Sequence, residues 1–281
     1  MSEATGRVVL VTGAGRGIGR AVAMAALRRG DTVHATFRKA ADREDFEAVA
    51  PGRAHGWILD IAEEAAVARV VGEIESAAGR IDVLVGCAGF CRAGLFEETS
   101  PTELRAHLEV NLLGSASVIR GVLPGMRARR AGSIVQITSM SGMITMQGLA
   151  AYQASKFGLE GLVESVAREV RPFGVRVTAV APGGFRTDML GSALVGRQQP
   201  IDDYDDMAAA VHSARADYDG AQLGDPELAA AAVLRLVEPG TRAPMHVLLG
   251  SDAMDLVRTS RAHQTRDFAE WEWLTRSTDG V

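Results

Sequence analysis

The stretch Tyr152-Gln153-Ala154-Ser155-Lys156 places a phenol and an ammonium four residues apart in a segment of helical composition. Residues at i and i+4 share one helix face. A tyrosine with a pKa near ~10 is a poor proton donor or acceptor at neutral pH, and each unit of lowering takes about 1.4 kcal/mol of preferential phenolate stabilisation. A cation held beside the ring can supply it. Such a pair on its own is equally a solvated surface pair, so its company decides. Ser139 stands 13 residues upstream, at the end of the apolar run Ile134-Val135-Gln136-Ile137, and a glycine-rich turn opens the chain. The chemistry this combination suits is proton transfer at an oxygen.

The elements that would position these groups alternate along the chain. Arg7 to Thr12 is a short β-branched run of the kind buried on both faces of a parallel sheet. It leads into Gly13-Ala14-Gly15-Arg16-Gly17-Ile18-Gly19, and Arg20 to Arg29 then reads as a helix that stops at Gly30. Strand, glycine turn and helix form the context of a dinucleotide site: glycines admit a pyrophosphate close to the backbone, and the helix N-terminus offers free N–H groups. The second strand is Thr32 to Phe37, followed by Arg38 and Lys39. An acid ending this strand would bind the ribose hydroxyls of NAD, whereas an arginine accommodates the 2′-phosphate of NADP. Phe37 occupies the acid's place. With Arg38 next to it and Arg16 inside the turn, NADP is the expected cofactor rather than NAD.

A third strand over 54–59 ends in Asp60-Ile61, and an amphipathic helix over 63–78 follows. Ile81 to Val85 is the fourth strand, ending in Gly86-Cys87-Ala88-Gly89. Pro101 to Arg120 reads as one long helix with Ser100 as N-cap and Asn111 inside it. Strand five is Ser133 to Thr138, the helix carrying Tyr152 and Lys156 spans Leu149 to Val170, and strand six is Val175 to Val180, broken by Pro182-Gly183-Gly184. Met245 to Leu249 is a seventh strand, preceded by a helix over 227–237 and followed by one or two helices to Thr275. The pattern predicts an α/β protein: a Rossmann-like doubly wound sheet of about seven parallel strands with helices on both faces. One domain over 1–281 is expected. Ligands in such sheets bind beyond the carboxyl ends of the strands, so Gly13, Asp60, Gly89, Ser139 and Pro182 should lie along one edge.

Composition narrows the partners. A net charge of −5 and a pI near 5.7, with no basic run, argue against nucleic acid or anionic membrane as a partner. No apolar stretch reaches the roughly 18 residues of a membrane span and the N-terminus lacks signal-peptide character, so a cytoplasmic protein is expected. Cys87 and Cys91 form a lone C-x3-C pair without histidine company, read as reduced thiols with no metal.

Taken together, these residues resemble the short-chain dehydrogenase/reductase family. Thr12-Gly13-x-x-x-Gly17-Ile18-Gly19 resembles its TGxxxGIG cofactor turn, Asp60 its adenine contact, and Asn111, Ser139, Tyr152 and Lys156 its catalytic tetrad. Pro182-Gly183 with Thr187 resembles its PGxxxT segment beside the nicotinamide. Ile61, Ala88 and Gly89 complete the expected cofactor contacts. The resemblance implies a carbonyl or alcohol substrate, Tyr152 as general acid or base, and Ser139 as donor to the reacting oxygen. It gives Lys156 the tasks of lowering the Tyr152 pKa and holding the nicotinamide ribose, and Asn111 that of supporting a water linked to Lys156. It also implies a lid over about 186–225 and a homodimer or homotetramer. Departures are Gly86-Cys87-Ala88-Gly89 where the family has NNAG, expected to affect the sheet more than the chemistry, Ser141 as a second hydroxyl near Ser139, and a C-terminal helical extension over about 251–281 that runs beyond the family's minimal length. The acidic run Asp202-Asp203-Tyr204-Asp205-Asp206 is read as a solvated lid face. Met140, Met143, Met146, Leu149 and Phe185 would make the cleft apolar near the carbonyl. The competing readings are a catalytically silent dinucleotide sensor or scaffold, and an epimerase or dehydratase that uses the nicotinamide transiently.

Overall fold

The protein is described from a computed structural model that covers residues 6–189, 191, 197 and 199–280. The N-terminal residues 1–5 and parts of the expected lid, at 190, 192–196 and 198, lie outside the described residues. Strands β1 (Val8–Thr12), β2 (Thr32–Phe37), β3 (Ala54–Ile58), β4 (Val83–Gly86), β5 (Gly132–Ile137), β6 (Val175–Pro182) and β7 (His246–Leu249) pair in parallel throughout. Their spatial order is β3-β2-β1-β4-β5-β6-β7. Strand order reverses between β1 and β4, the switch point where a doubly wound sheet opens a crevice.

Alternation along β1 explains why every residue of that strand is apolar or buried. Val9 and Val11 face one core, shared with Val22, Ala26, Phe46, Val85 and Leu234. Leu10, pointing the other way, joins Ile74, Leu84, Ile119, Ile134 and Leu159 in the second. The first core is roofed by α1 (Gly17–Arg28), α2 (Ala40–Glu47) and the later helix Pro226–Leu236, and the second by α3 (Glu64–Ala78), α5 (Ser115–Arg129) and α6 (Ala150–Val170). Each fully buried aliphatic side chain contributes roughly 1.5–3 kcal/mol, so both faces anchor the strand ends that carry the candidate site.

The sequence reading departs from the structure in three places. The single helix expected over Pro101 to Arg120 is α4 (Pro101–His107), a π-helical stretch Leu108–Gly114 holding Asn111, and α5, which continues to Arg129. Ser100 does cap it, accepting a hydrogen bond from the Glu103 N–H at 3.1 Å. Helix α2 was not anticipated, because Ala40–Glu47 buries only Phe46 and so lacks an apolar stripe. The loose stretch after Arg186 contains α7 (Asp205–Tyr218), which buries no residue fully. It is followed by α8 (Pro226–Leu236), α9 (Ser251–Glu270) and α10 (Glu272–Arg276).

Candidate active site

The glycine turn after β1 is shaped by close backbone approach. Gly13 has φ +69°, and a Cβ there would lie 2.7 Å from the Ala88 Cα; at Gly19 it would lie 2.4 Å from the Gly13 carbonyl oxygen. No side chain fits either place. Thr12 Oγ1 accepts hydrogen bonds from the Cys87 and Ala88 N–H groups (3.1 and 3.2 Å), tying the ends of β1 and β4 together. Gly17, at φ +58°, is opposed by Thr187: a Cβ would meet its Cγ2 at 3.2 Å, so the segment after β6 closes over the turn. Ile18 packs against the first core. Pro182 ends β6, the Gly183 N–H donates to Leu249 O at 2.8 Å, and the Gly184 N–H donates to Asp252 Oδ2 at 2.7 Å. Asp252 opens α9 and also accepts from the Tyr218 hydroxyl of α7 at 3.3 Å. The C-terminal extension thus holds the loop expected beside the nicotinamide.

At the far end of the turn, Arg16 and Arg38 are exposed and neither makes an ion pair among the described residues. Phe37 is buried against Phe46, with ring centroids 5.4 Å apart. A carboxylate nevertheless approaches from α2: a Cβ on Gly15 would lie 3.3 Å from Asp42 Oδ2. The sequence reading considered only the end of β2 and missed it. Asp60 is exposed and accepts from the Ala62 N–H at 3.0 Å, while Ile61 is buried against Gly114.

The four expected proton-transfer residues converge. Tyr152 is buried, the Ser139 hydroxyl stands close enough to favour its phenolate, and its ring centroid lies 5.8 Å from Lys156 Nζ. Ser139 Oγ also accepts from the Ser141 N–H at 3.1 Å, so the second hydroxyl serves the turn through its backbone. Lys156 Nζ donates to Ile137 O at 3.4 Å. A Cβ on Gly89 would lie 3.0 Å from Asn111 Oδ1 and 3.8 Å from Lys156 Nζ, which places glycine, amide and ammonium side by side. Both N–H bonds of the Asn111 amide are used, to Phe90 O (2.9 Å) and Ser155 Oγ (3.0 Å), and Oδ1 accepts from the Phe90 N–H (3.0 Å). The π-helical stretch is what turns this amide toward the loop after β4.

Electrostatics differ from the simple expectation. Burial pushes the Tyr152 phenol above its ordinary value, the neighbouring Cys91 adds to that, and only the Ser139 hydroxyl pulls it down. Burial pulls Lys156 from 10.5 down to about 8, with the Glu160 carboxylate opposing it. The lowering of the phenol that Lys156 was expected to produce is not among the causes of the shift, which desolvation dominates. Tyr152 is therefore held protonated. Cys87 and Cys91 are free and pushed up to about 12 and about 11 by burial, and are thiols at neutral pH.

Other residues supporting the site were not legible in the sequence. His107 is fully buried, stacks on Phe90 and meets the Tyr152 ring edge-on at 6.4 Å. Its Nε2 accepts from the Arg92 N–H at 3.1 Å, so Nδ1 must be the nitrogen that donates to Glu103 O at 3.0 Å. Burial lowers its pKa, which keeps that neutral tautomer. Gln136 of β5 donates to Gly86 O at 3.0 Å and fills the space a side chain at Gly86 would take. An amide from the next strand thus occupies ground left by the missing NNAG asparagine. No local pattern marks either residue, since each depends on a partner distant in sequence.

Over this edge, α7 and the loop after β4 bound a cavity of about 810 Å³, its apolar wall made by Ala93, Leu95, Ala208, Val211 and Ala216. The methionines at 140, 143 and 146 and Phe185 do not line it. Leu149 instead joins Cys91 and Tyr152 in a small cluster against which Ala93, a residue of the cavity wall, packs. The acidic run is only partly solvated. Asp202, Asp203 and Asp206 are exposed, but Asp205 pairs with Arg197, and the Tyr204 hydroxyl donates to Glu97. Arg197 Nε donates to both oxygens of the buried Glu98 at 3.0 Å, and the Ile201 N–H donates to Glu98 Oε1 at 3.0 Å. Among the described residues no group of three or more side chains has metal-ligand geometry, and no helix is long and apolar enough to cross a membrane.

Comparison with known proteins gives a consistent result. The short chain dehydrogenase family matches residues 7–197. Oxidoreductase BOA17 of Botryotinia fuckeliana is 32% identical over 275 residues, spanning 96% of this chain and 98% of its own. The 3-oxoacyl-[acyl-carrier-protein] reductase FabG of Vibrio harveyi is 33% identical over 234 residues, 83% of this chain and 91% of its own. Among solved structures, a short-chain dehydrogenase from Streptomyces avermitilis superposes with a TM-score of 0.87 at 37% identity, covering 98% of this chain and all of the other.

Proposed function

The chain belongs to the short-chain dehydrogenase/reductase family and is an NAD(P)-dependent oxidoreductase, and from that premise we propose that it uses NADP to reduce a ketone or aldehyde, with Tyr152 as proton donor. The observation that carries the reading is a buried Tyr152 brought beside Ser139, with Lys156 Nζ 5.8 Å from its ring centroid and burial favouring the neutral phenol. A phenol held protonated suits donation to an oxygen that gains negative charge, which is the reductive direction. Ser139 donates to the same oxygen and stabilises that charge. Lys156, an ammonium at neutral pH, holds ribose hydroxyls and resupplies the proton. Asn111, its amide N–H groups committed to Phe90 and Ser155, keeps one lone pair of Oδ1 for a water on that path.

The residues fit the cofactor. Close backbone approach at Gly13 and Gly19 fixes the turn that would face the pyrophosphate, Thr12 ties it to the end of β4, and Gly15, Gly17, Ile18, Asp60, Ile61, Ala88, Gly89, Pro182, Gly183 and Thr187 are the further residues that would hold the cofactor. When bound, the nicotinamide supplies the hydride. Unpaired Arg16 and Arg38 support NADP over NAD, with Asp42 as the one carboxylate working against a 2′-phosphate. Relatives named as reductases of 3-oxo compounds, 3-oxoacyl-[acyl-carrier-protein] reductase and the 3-ketodihydrosphingosine reductase of Bacteroides thetaiotaomicron, support a ketone as substrate. Leu113 on the π-helical stretch and Phe157 on α6 are exposed apolar residues, which supports association of these helices in a homodimer or homotetramer.

The test follows NADPH absorbance with a panel of ketones, aldehydes and quinones. Consumption should occur with at least one of them, with kcat/KM about tenfold higher for NADPH than for NADH, the size of one charge-assisted contact. Tight NADPH binding without consumption across the panel would contradict the reading.

A further inference from the structure

The cavity over the active edge holds two guanidinium groups in different states. Arg197 is satisfied: Glu98, Asp205 and the Ile201 carbonyl oxygen all bond it. Arg215, from the inner wall of α7, lines the same cavity and makes no side-chain hydrogen bond or ion pair among the described residues. It is half-buried, and burial lowers its pKa. The carboxylates that could neutralise Arg215, Glu98 and Asp205, are committed to Arg197, and Asp219 faces Gln222.

We propose that Arg215 is the anchor for a carboxylate on the substrate, so that the carbonyl compound this enzyme reduces is an oxo acid. Withdrawing a guanidinium from water without a counterion is unfavourable, and an arriving anion removes that penalty. The planar fork of arginine matches a carboxylate with two parallel hydrogen bonds. One unpaired cation among the described residues of the cavity suits a monoanion. A phosphate dianion would bring surplus negative charge beside Glu98 and Asp205, whose own charge is met by Arg197 alone. The cavity reaches from Arg215 to Ala93, which packs against the cluster of Cys91, Leu149 and Tyr152, so a chain or ring running along Val211 and Ala216 and past Ala93 would carry its carbonyl at one end and its carboxylate at the other. A volume of about 810 Å³ accommodates a substantial apolar body between these two groups.

The inference rests on the proposed carbonyl chemistry, and two readouts separate them. Binding of a panel of medium-chain oxo acids, and of their methyl esters, is measured by calorimetry on the full chain with NADPH bound. Turnover of the same compounds is followed by NADPH absorbance. The acid should bind at least about tenfold more tightly than its ester. Arg215→Met should bring that ratio to about one, and Arg215→Lys, which keeps the charge without the fork, should retain part of it. An unchanged melting temperature in both variants shows that α7 still packs. No acid preference in the native protein, or the same preference in Arg215→Met, overturns the anchor. An Arg215-dependent preference without NADPH consumption sustains the anchor and contradicts the reductase.

Discussion

At the cofactor turn the structure is set by distances that no side chain can change: Gly13 lies against Ala88, and Gly19 against the Gly13 carbonyl. Over the cavity, by contrast, α7 buries none of its residues fully and is held by charges, with Arg197 joining Glu98 to Asp205. The first region belongs to a close-packed sheet edge and tolerates no displacement; the second can repack around its ion pairs. Catalytic geometry needs the first kind of support, because small displacements cost rate heavily. Choice of substrate suits the second.

The sharpest way to break this comparison is to put a methyl group where backbone meets backbone. Gly19→Ala sets a Cβ 2.4 Å from the Gly13 oxygen, and we expect loss of NADPH binding together with a stability loss of roughly 2–4 kcal/mol, by overpacking and backbone shift. Fluorescence titration and urea unfolding check this. If Gly19→Ala binds NADPH normally, the turn is not the rigid element described. On the other side, Glu98→Ala leaves Arg197 with only Asp205 and the Ile201 carbonyl oxygen, and the attachment of α7 to the loop before α4 is loosened. Because that loosening falls on α7, the KM for the carbonyl substrate should rise while NADPH binding is retained. A variant that lost both equally would show the two regions to be one cooperative unit.

The contrast explains what could be read from residues alone. The seven strands, the glycine turn and the convergence of Ser139, Tyr152 and Lys156 were legible because they follow from local pattern: buried β-branched runs, glycines directly after them, and one helical face. The π-helical stretch at Asn111 has no compositional mark, and α7 has an alanine- and aspartate-rich sequence without a buried stripe. Arg197 meets Glu98 across 99 positions, and Arg215 stands out only once the paired cations around it are known. Asp42 was missed because the acid was sought at the end of β2, whereas α2 brings one back from five residues further on.

Two smaller effects sharpen the comparison within the rigid region. Lys156 is held at about 8, below its ordinary 10.5. If the ammonium form is the working one, kcat/KM for reduction falls about tenfold per pH unit above roughly 8. The same depression means that between about 8 and 10.5 the unfolded chain binds more protons at this residue than the folded one, so this site's contribution to stability rises with pH there. A reduction rate that stays flat to pH 10 would remove Lys156 from the proton path. Smallest is Asp42→Asn: removing a partly exposed carboxylate beside Gly15 should lower the KM for NADPH about two- to threefold, the scale of a screened charge contact, and leave that for NADH unchanged or raised. No change in the ratio would place Asp42 outside the cofactor site.

The central claim is that Tyr152, held protonated by burial and oriented by Ser139, gives its proton to the substrate oxygen. Tyr152→Phe removes one hydroxyl while keeping the ring that packs against Cys91 and Leu149. NADPH consumption measured with the best ketone of the panel should fall by at least about a thousandfold, the upper range for a lost general acid, with the NADPH dissociation constant within about twofold of the native value. A Tyr152→Phe protein that reduces the ketone at near-native rate would contradict the account.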